Sequence, residues 1–342
     1  MRTIVLTGGG TAGHVLPIIA LLPYLRSRFE RIVYLGGSGI EKDIAAQNHL
    51  EYREITTVKL RRTLTLKNLL IPYKLWKGIR ESKKILRELK PEMIFSKGGF
   101  VALPVVLAAA KLKIKIVAHE SDLSLGLANR ISAKYCQTLC TTFPCDQNKY
   151  PQMVQTGAII RKQIYHGDSK QIPLPANDKP NLLVVGGSLG ATALNQAVWS
   201  ALPQLCDAWN VVHITGKGKT NPQYHHPQYW QADFLNQPEN AFAWAHVVLT
   251  RAGSGTVCEL LALRKPAVYV PLPNNESRGD QIQNAAFMQN LGVCEVLPQD
   301  TLNTANLLQI LTQVYRDRVK YQTNCAKQIW VDGTERIKDY LK

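Results

Sequence analysis

The chain opens on a run without polar interruption. "TIVLT", residues 3–7, shows no alternation of apolar and polar positions, so it predicts a strand covered on both faces. Glycines follow at once, and "HVLPIIALLPYLRSR" then spaces its apolar residues as a helix does. The pattern continues through "RIVYLG", a strand near "YREIT", "EMIFSKGG", a helix from Val101 to Lys111, and "IKIVAHES". Apolar strands separated by helices predict a parallel sheet with helices on both sides.

After a polar stretch, "RKQIYHGDSKQIPLPANDKPN", the pattern restarts. "NLLVVGGSLGATALNQA" is again strand, glycine turn and helix. "NVVHITG", "AHVVLTRAGSGTVCELLAL", "PAVYVPLP" and the helix "DQIQNAAFMQNLG" extend it. The 342 residues suit two domains, with a linker expected near residues 157–180. The predicted class is α/β: two Rossmann-like doubly wound domains facing across a cleft, each offering the carboxyl ends of its strands.

Composition narrows the setting. With 45% hydrophobic and 19% charged residues, the chain has apolar material for both cores. Its longest apolar stretch, Phe100 to Ala110, falls short of the roughly 20 residues that cross a bilayer. The first residues enter a strand directly, so no secretory leader is expected. Seven cysteines without a C-x-x-C pair predict reduced packing residues in a cytosolic protein.

Charge changes the picture more. A net +16 calls for a polyanionic partner, and residues 59–90 carry eleven basic against two acidic residues. Leu64, Leu66, Leu69, Leu70, Ile71, Leu75, Trp76 and Ile79 are interleaved with that charge. A basic amphipathic segment of this kind predicts a peripheral site on an anionic membrane. The plainer reading is a core helix with a solvated basic face. Nucleic acid is not expected, because the segment has neither aromatics on strands nor a recognisable module.

The candidate chemistry lies in the glycine turns. Gly8, Gly10 and Gly13 satisfy G-x-G-x-x-G, the spacing of a dinucleotide turn. An NAD site needs an acid at the end of the second strand, yet that strand ends "RIVYLGGSG", and Glu41 and Asp43 come later, on a predicted helix. A second turn, Gly186 to Gly190, opens the other domain, and "SKGGFVALP" supplies a third. All three place a helix N-terminus behind glycines, which makes an anion site without a metal. Two such faces predict two phosphorylated substrates.

"GGGTAGHVLP", "SKGGFVALP", "AHESDLSLGLANR", "TGAIIR", "VVGGSLGATALNQ" and "LTRAGSGTVCELLAL…GDQIQNA" occur in that order, from Thr3 to about Asn290. The set resembles the MurG family of glycosyltransferase family 28, bacterial GT-B transferases of peptidoglycan synthesis. The resemblance implies inverting transfer of GlcNAc from UDP-GlcNAc to the 4-hydroxyl of the muramyl sugar of lipid I, giving lipid II. It implies a lipid-acceptor and membrane-associated domain over 1–160, a UDP-GlcNAc domain over 161–325, and a terminal helix over 326–342 crossing back to the first domain. It further implies work at the cytoplasmic face of the membrane, with other cell-wall synthesis enzymes as partners. Spacing alone does not distinguish UDP-sugars. A related transferase acting on another lipid is therefore the alternative, and an NAD(P)-dependent oxidoreductase the remote one.

The same resemblance assigns residues. Donor contacts fall on Thr11, Ala12, Gly13, Asp122, Arg161, Ser188, Leu235, Ser254, Gly255, Thr256, Glu259 and Gln281. Arg161 would meet the diphosphate, Glu259 the ribose hydroxyls, Leu235 the uracil, and Gln281 the sugar. The acceptor diphosphate falls to Gly9, Gly10, Thr11, Lys97, Gly98 and Gly99. No D-x-D motif occurs, so no metal or other cofactor is expected, and protein charge must hold the leaving diphosphate. His14 is the candidate base, because the helix dipole disfavours imidazolium at the start of a helix. Asp122 is the other candidate. It stands where better-known family members carry asparagine, which leaves the base open. Ala12 is a second departure, in place of the more usual glycine.

Overall fold

The computed structural model describes residues 1–58, 70–148, 150–187, 190–275 and 277–342. The chain divides into two compact units, one of Met1–Ile160 with Asp332–Lys342, the other of Arg161–Val331. The second unit thus runs beyond residue 325, and the return to the first begins at Asp332.

The first unit alternates strand and helix: β1 (Thr3–Thr7), α1 (Ala12–Arg28), β2 (Arg31–Gly36), α2 (Ile40–Gln47), β3 (Glu51–Glu54) and α3 (Ile71–Leu89). It continues with β4 (Met93–Ser96), α4 (Ala102–Lys111), β5 (Lys115–Glu120), α5 (Leu127–Ser132), β6 (Thr138–Thr141) and β7 (Met153–Gln155). The sheet order is β3-β2-β1-β4-β5-β6-β7, and every pairing is parallel. Adjacent residues of β1 serve opposite layers. Ile4 and Leu6 pack with Val15, Ile18 and Leu21 of α1, whereas Val5 packs with Leu86 and Leu89 of α3 and with Val105 and Val106 of α4. Two covered faces are what the unbroken apolar run requires.

The second unit holds β8 (Asn181–Val185), α6 (Thr192–Ser200), α7 (Leu202–Ala208), β9 (Asn210–Ile214), β10 (Tyr229–Ala232), α8 (Pro238–Trp244) and β11 (Val247–Thr250). It is completed by α9 (Ser254–Ala262), β12 (Ala267–Tyr269), α10 (Asp280–Asn290), β13 (Cys294–Val296), α11 (Thr304–Arg316) and α12 (Arg318–Ala326). Its parallel sheet runs β10-β9-β8-β11-β12-β13. Each unit therefore places two of its glycine turns on neighbouring central strands, β1 and β4 in one, β8 and β11 in the other.

The returning segment ends in α13 (Thr334–Lys338). Asp332 bridges Ala158, Gly333 N–H donates to the Ala158 carbonyl at 2.8 Å, and Thr334 Oγ1 accepts from Ile160 N–H at 2.9 Å. A side chain at Gly333 would overlap the Thr156 carbonyl. Ile337 and Leu341 are fully buried in the layer that contains Ile4 and Leu6.

Candidate active site

In the first unit the glycine turn is filled from within. Gly10, at φ +87°, donates its N–H to the Glu41 carboxylate at 3.2 Å, and Glu41 also accepts from Gly37 N–H at 3.1 Å. Glu41 is 1% exposed, and its carboxyl lies where a side chain on Gly9 would go. A side chain on Gly10 would overlap the Phe100 ring. Glu41, the first acid after the second strand, is thus spent on the turn itself and is not presented to a ribose.

The third turn closes against the first. Gly99, at φ +78°, leaves no room for a side chain beneath the Gly9 carbonyl, and Gly98 N–H donates to Ser96 Oγ at 3.3 Å. Lys97, expected at a diphosphate, is instead only 1% exposed, and its ammonium donates to Ser121 Oγ. Its N–H donates to the Thr7 carbonyl at 2.8 Å. The expectation of an acceptor diphosphate on Gly9, Gly10, Lys97, Gly98 and Gly99 thus meets a turn whose groups are largely engaged by the protein. Thr11 and Gly13 remain exposed, with Ala12 half-buried between them.

His14 sits in the first turn of α1 with Nδ1 at 3.2 Å from the Lys97 carbonyl oxygen. A carbonyl only accepts, so the hydrogen resides on Nδ1, and Nε2 is the basic nitrogen. That tautomer is what a general base facing a substrate hydroxyl requires. The second candidate, Asp122, lies in a loop organised by Glu120, which sequence reasoning did not single out. One Glu120 oxygen accepts from the N–H groups of Ser121 at 2.8 Å and Asp122 at 3.1 Å. The other accepts from Gly126 N–H at 2.9 Å and Asn129 Nδ2 at 3.1 Å. A buried carboxylate with four N–H donors fixes the loop that presents Asp122.

The second unit is open where the first is filled. Among the described residues, nothing lies within 4 Å of the space a side chain would occupy at Gly187, Gly253 and Gly255. Gly186 and Gly190, by contrast, are pressed against Ala191 and the Thr215 carbonyl, so the turn is anchored at its edges. A buried polar chain supports that anchor. Trp199 Nε1 donates to Tyr229 Oη at 3.0 Å, and His213 links Tyr229 Oη at 2.9 Å to Asn195 Oδ1 at 3.1 Å. Asn195 Nδ2 then donates to the Thr215 carbonyl at 2.8 Å. Burial lowers the pKa of His213 to about 3, so the ring stays neutral and the chain of donors keeps its direction. Ser188 lies outside the described residues.

Ser254, Gly255 and Thr256 form the first turn of α9, whose N-cap, Gly253, supplies no side chain. One turn further, Glu259 accepts from Arg161 Nε at 3.3 Å and from its terminal nitrogen at 3.2 Å. Burial raises the Glu259 pKa, and the Arg161 guanidinium opposes the rise. The structure therefore brings the expected phosphate-binding arginine and ribose-binding carboxylate together as an ion pair. Gln281 accepts from Leu272 N–H at 3.1 Å in the first turn of α10. Leu235 follows Asp233, which accepts from Gly218 N–H at 2.8 Å and Thr220 N–H at 3.2 Å and so shapes the neighbouring loop.

The basic stretch resolves into α3 and residues outside the described ones, among them Leu66 and Leu69. Gly78 lies so close to the Thr56 carbonyl and Pro104 that a side chain would not fit, and Ser82, Leu86 and Leu89 complete the buried stripe. Ile79 packs against this core, a correction to its expected place on a membrane. Leu75 is half-buried. Leu70, Tyr73 and Trp76 are 53%, 59% and 54% exposed, with the Tyr73 and Trp76 rings stacked at 6.3 Å and Arg80 over Trp76 at 5.5 Å. Tyr73 is the member that sequence reading missed. Among the described residues no helix is long and apolar enough to cross a membrane.

Residues 4–141 match the glycosyltransferase family 28 N-terminal domain, and residues 181–340 match the family's C-terminal domain. A UDP-N-acetylglucosamine–N-acetylmuramyl-(pentapeptide) pyrophosphoryl-undecaprenol N-acetylglucosamine transferase of Lachnoclostridium phytofermentans is 44% identical, covering 98% of this chain and 97% of its own. Its namesake in Lachnospira eligens is 41% identical, covering 100% and 99%. The crystal structure of MurG from Acinetobacter baumannii superposes with a TM-score of 0.78 at 25% identity, over 99% of each chain. The chain belongs to glycosyltransferase family 28, in the branch of the MurG transferases.

Proposed function

We propose that this chain transfers GlcNAc from UDP-GlcNAc to the 4-hydroxyl of the muramyl sugar of lipid I, giving lipid II. The observation that carries this is the match, along nearly the whole chain, to transferases named for that donor and acceptor. The site geometry supports it. The acceptor hydroxyl oxygen forms a bond to the anomeric carbon as the bond from that carbon to the UDP oxygen breaks, with inversion. The hydroxyl proton passes to His14 Nε2, the nitrogen left basic by the Nδ1–H bond to Lys97. Asp122, held by the Glu120-centred loop, is the second choice for the same task.

Donor binding falls to the open turns of the second unit. The helix N-termini at Thr192 and Ser254 offer amide donors to the diphosphate, and Arg161 exchanges its carboxylate partner for phosphate. Glu259 then accepts from the ribose hydroxyls. Leu235 and Gln281 complete the contacts to base and sugar. No metal is required in this reading, because the sequence has no D-x-D motif and positive protein groups stabilise the leaving UDP. The exposed Leu70, at the start of α3, with Tyr73 and Trp76 of the helix, among Lys74 and Lys77, seat the protein on an anionic bilayer where a lipid-linked acceptor is found.

Two measurements test the proposal. Turnover of lipid I is expected with UDP-GlcNAc, undiminished by EDTA. A thermal-shift panel is expected to show stabilisation by UDP and UDP-GlcNAc but not by NADH. Preference for another UDP-sugar and another lipid would overturn the substrate assignment, and loss of activity in EDTA would overturn the metal-free one. Anionic liposomes are expected to sediment the protein, and failure at moderate salt would remove the membrane seat.

A further inference from the structure

Beside Asp122 the first unit contains a cavity of about 370 Å³, at the carboxyl ends of β5 and β6. That volume lies at the lower end of small-molecule sites, which run from roughly 300 to 1,000 Å³. Its walls are of two kinds. Leu125, Phe143, Tyr150 and Met153 give an apolar lining, while Asp122, Asp146 and Arg130 supply charge. Glu120 also borders it, but its oxygens already accept the loop N–H groups described above. In a chain of net charge +16, a cavity whose described residues carry more carboxylates than guanidinium groups is unusual.

That chemistry selects among the parts of a lipid-linked acceptor. A diphosphate would face the carboxylates of Asp122 and Asp146. A polyprenyl chain would gain the apolar lining but leave those carboxylates beside hydrocarbon. An aliphatic chain ending in an ammonium satisfies both features, its methylenes along the lining and its charge at Asp146 and Asp122. Location points the same way. Asp122 belongs both to the cavity and to the candidate catalytic pair, so the occupant lies next to the muramyl sugar, and the acceptor named for the relatives carries a pentapeptide.

We infer that this cavity receives an ammonium-bearing aliphatic side chain of the acceptor's peptide. The inference rests on the proposed transfer to a muramyl acceptor and adds a peptide-reading subsite to it. Asp146 is the residue through which to test it, since it has no part in the proposed chemistry. Its Oδ1 accepts from Asn148 N–H at 3.0 Å, an interaction an asparagine amide oxygen retains, so Asp146→Asn removes charge and keeps the turn.

The experiment is steady-state transfer from UDP-GlcNAc to two lipid-linked muramyl acceptors, one with a lysine in its peptide, the other with norleucine in its place. With the wild-type chain, the KM for the lysine acceptor is expected to be about fivefold lower, the upper end of what an accessible ion pair contributes. The KM for UDP-GlcNAc should be the same with both. Asp146→Asn should erase the difference with kcat unchanged. Equal KM values in the wild type, or a difference that survives Asp146→Asn, would overturn the subsite while leaving the transferase reading intact. Absence of transfer to either acceptor would overturn the transferase reading and the subsite together.

Discussion

The two units share a sheet plan and place a pair of glycine turns at the same point in it, on β1 and β4 in one and on β8 and β11 in the other. Their contents are opposite. In the first pair Glu41, Phe100 and the Gly9–Gly99 contact occupy the space, and the Gly10 N–H is already bonded. In the second, Gly187, Gly253 and Gly255 face open space, and the buried chain through Asn195 stiffens the turn from behind. The lesson concerns what a glycine turn is for. One holds a histidine in a fixed tautomer and keeps its backbone for itself. The other leaves its backbone uncovered. A cluster of glycines after a strand is thus a closed scaffold in one unit and, in the other, an open turn of the kind we propose for the donor phosphates.

That division can be broken experimentally. The largest effect expected is from His14→Ala, which should lower turnover of lipid I about 10²- to 10⁴-fold, the usual share of a general base. UDP affinity by calorimetry should barely move. A fall in turnover of less than threefold would transfer the role to Asp122. Next is Arg161→Ala, which removes a charged donor and should weaken UDP about tenfold or more, measured the same way. Unchanged affinity would detach the Arg161–Glu259 pair from the donor site.

A smaller effect, but a sharper contrast, comes from making the same substitution in both turns. Gly10→Ala meets Phe100 at a positive φ and should cost about 1–3 kcal/mol of stability, read as a lower Tm, with UDP affinity kept. Gly253→Ala has room and an ordinary φ of −67°, so Tm should hold while UDP binding weakens severalfold. If the two variants behave alike, the contrast between filled and open turns has no functional meaning. The smallest effect is in pH. Burial raises the Glu259 pKa, so its carboxylate is protonated at a higher pH than an ordinary one. UDP affinity should therefore fall as pH is lowered through that range, and Glu259→Gln should flatten the dependence.

Much of this was legible in sequence because it is local. Apolar runs located β1, β2, β5, β8 and β11, and glycine spacing located the turns that follow. Short strands such as β7 and β13, of three residues each, carry too little pattern to stand out from loops. The larger gap concerns buried charge. Glu41, Lys97 and Glu120 look like surface residues in one dimension, and each is instead enclosed, Glu41 and Lys97 bonded to groups of distant turns and Glu120 to the N–H groups of its own loop. No spacing rule reports that a carboxylate will meet the N–H of a residue thirty positions away. Ile79 fails for a related reason. Helical periodicity gives a face but not its neighbour, and Gly78 brings that face onto α4.

The return of the chain to its first unit bears on how the protein is made. Ile337 and Leu341 belong to the same buried layer as Ile4 and Leu6, so the first unit stays incomplete until residues made after the second unit have joined it. Residues 161–331 are contiguous and have their own core, and they can fold while the N-terminal sheet still waits for its final helix. Removing Asp332–Lys342 would therefore damage the N-terminal unit rather than the unit that the segment directly follows.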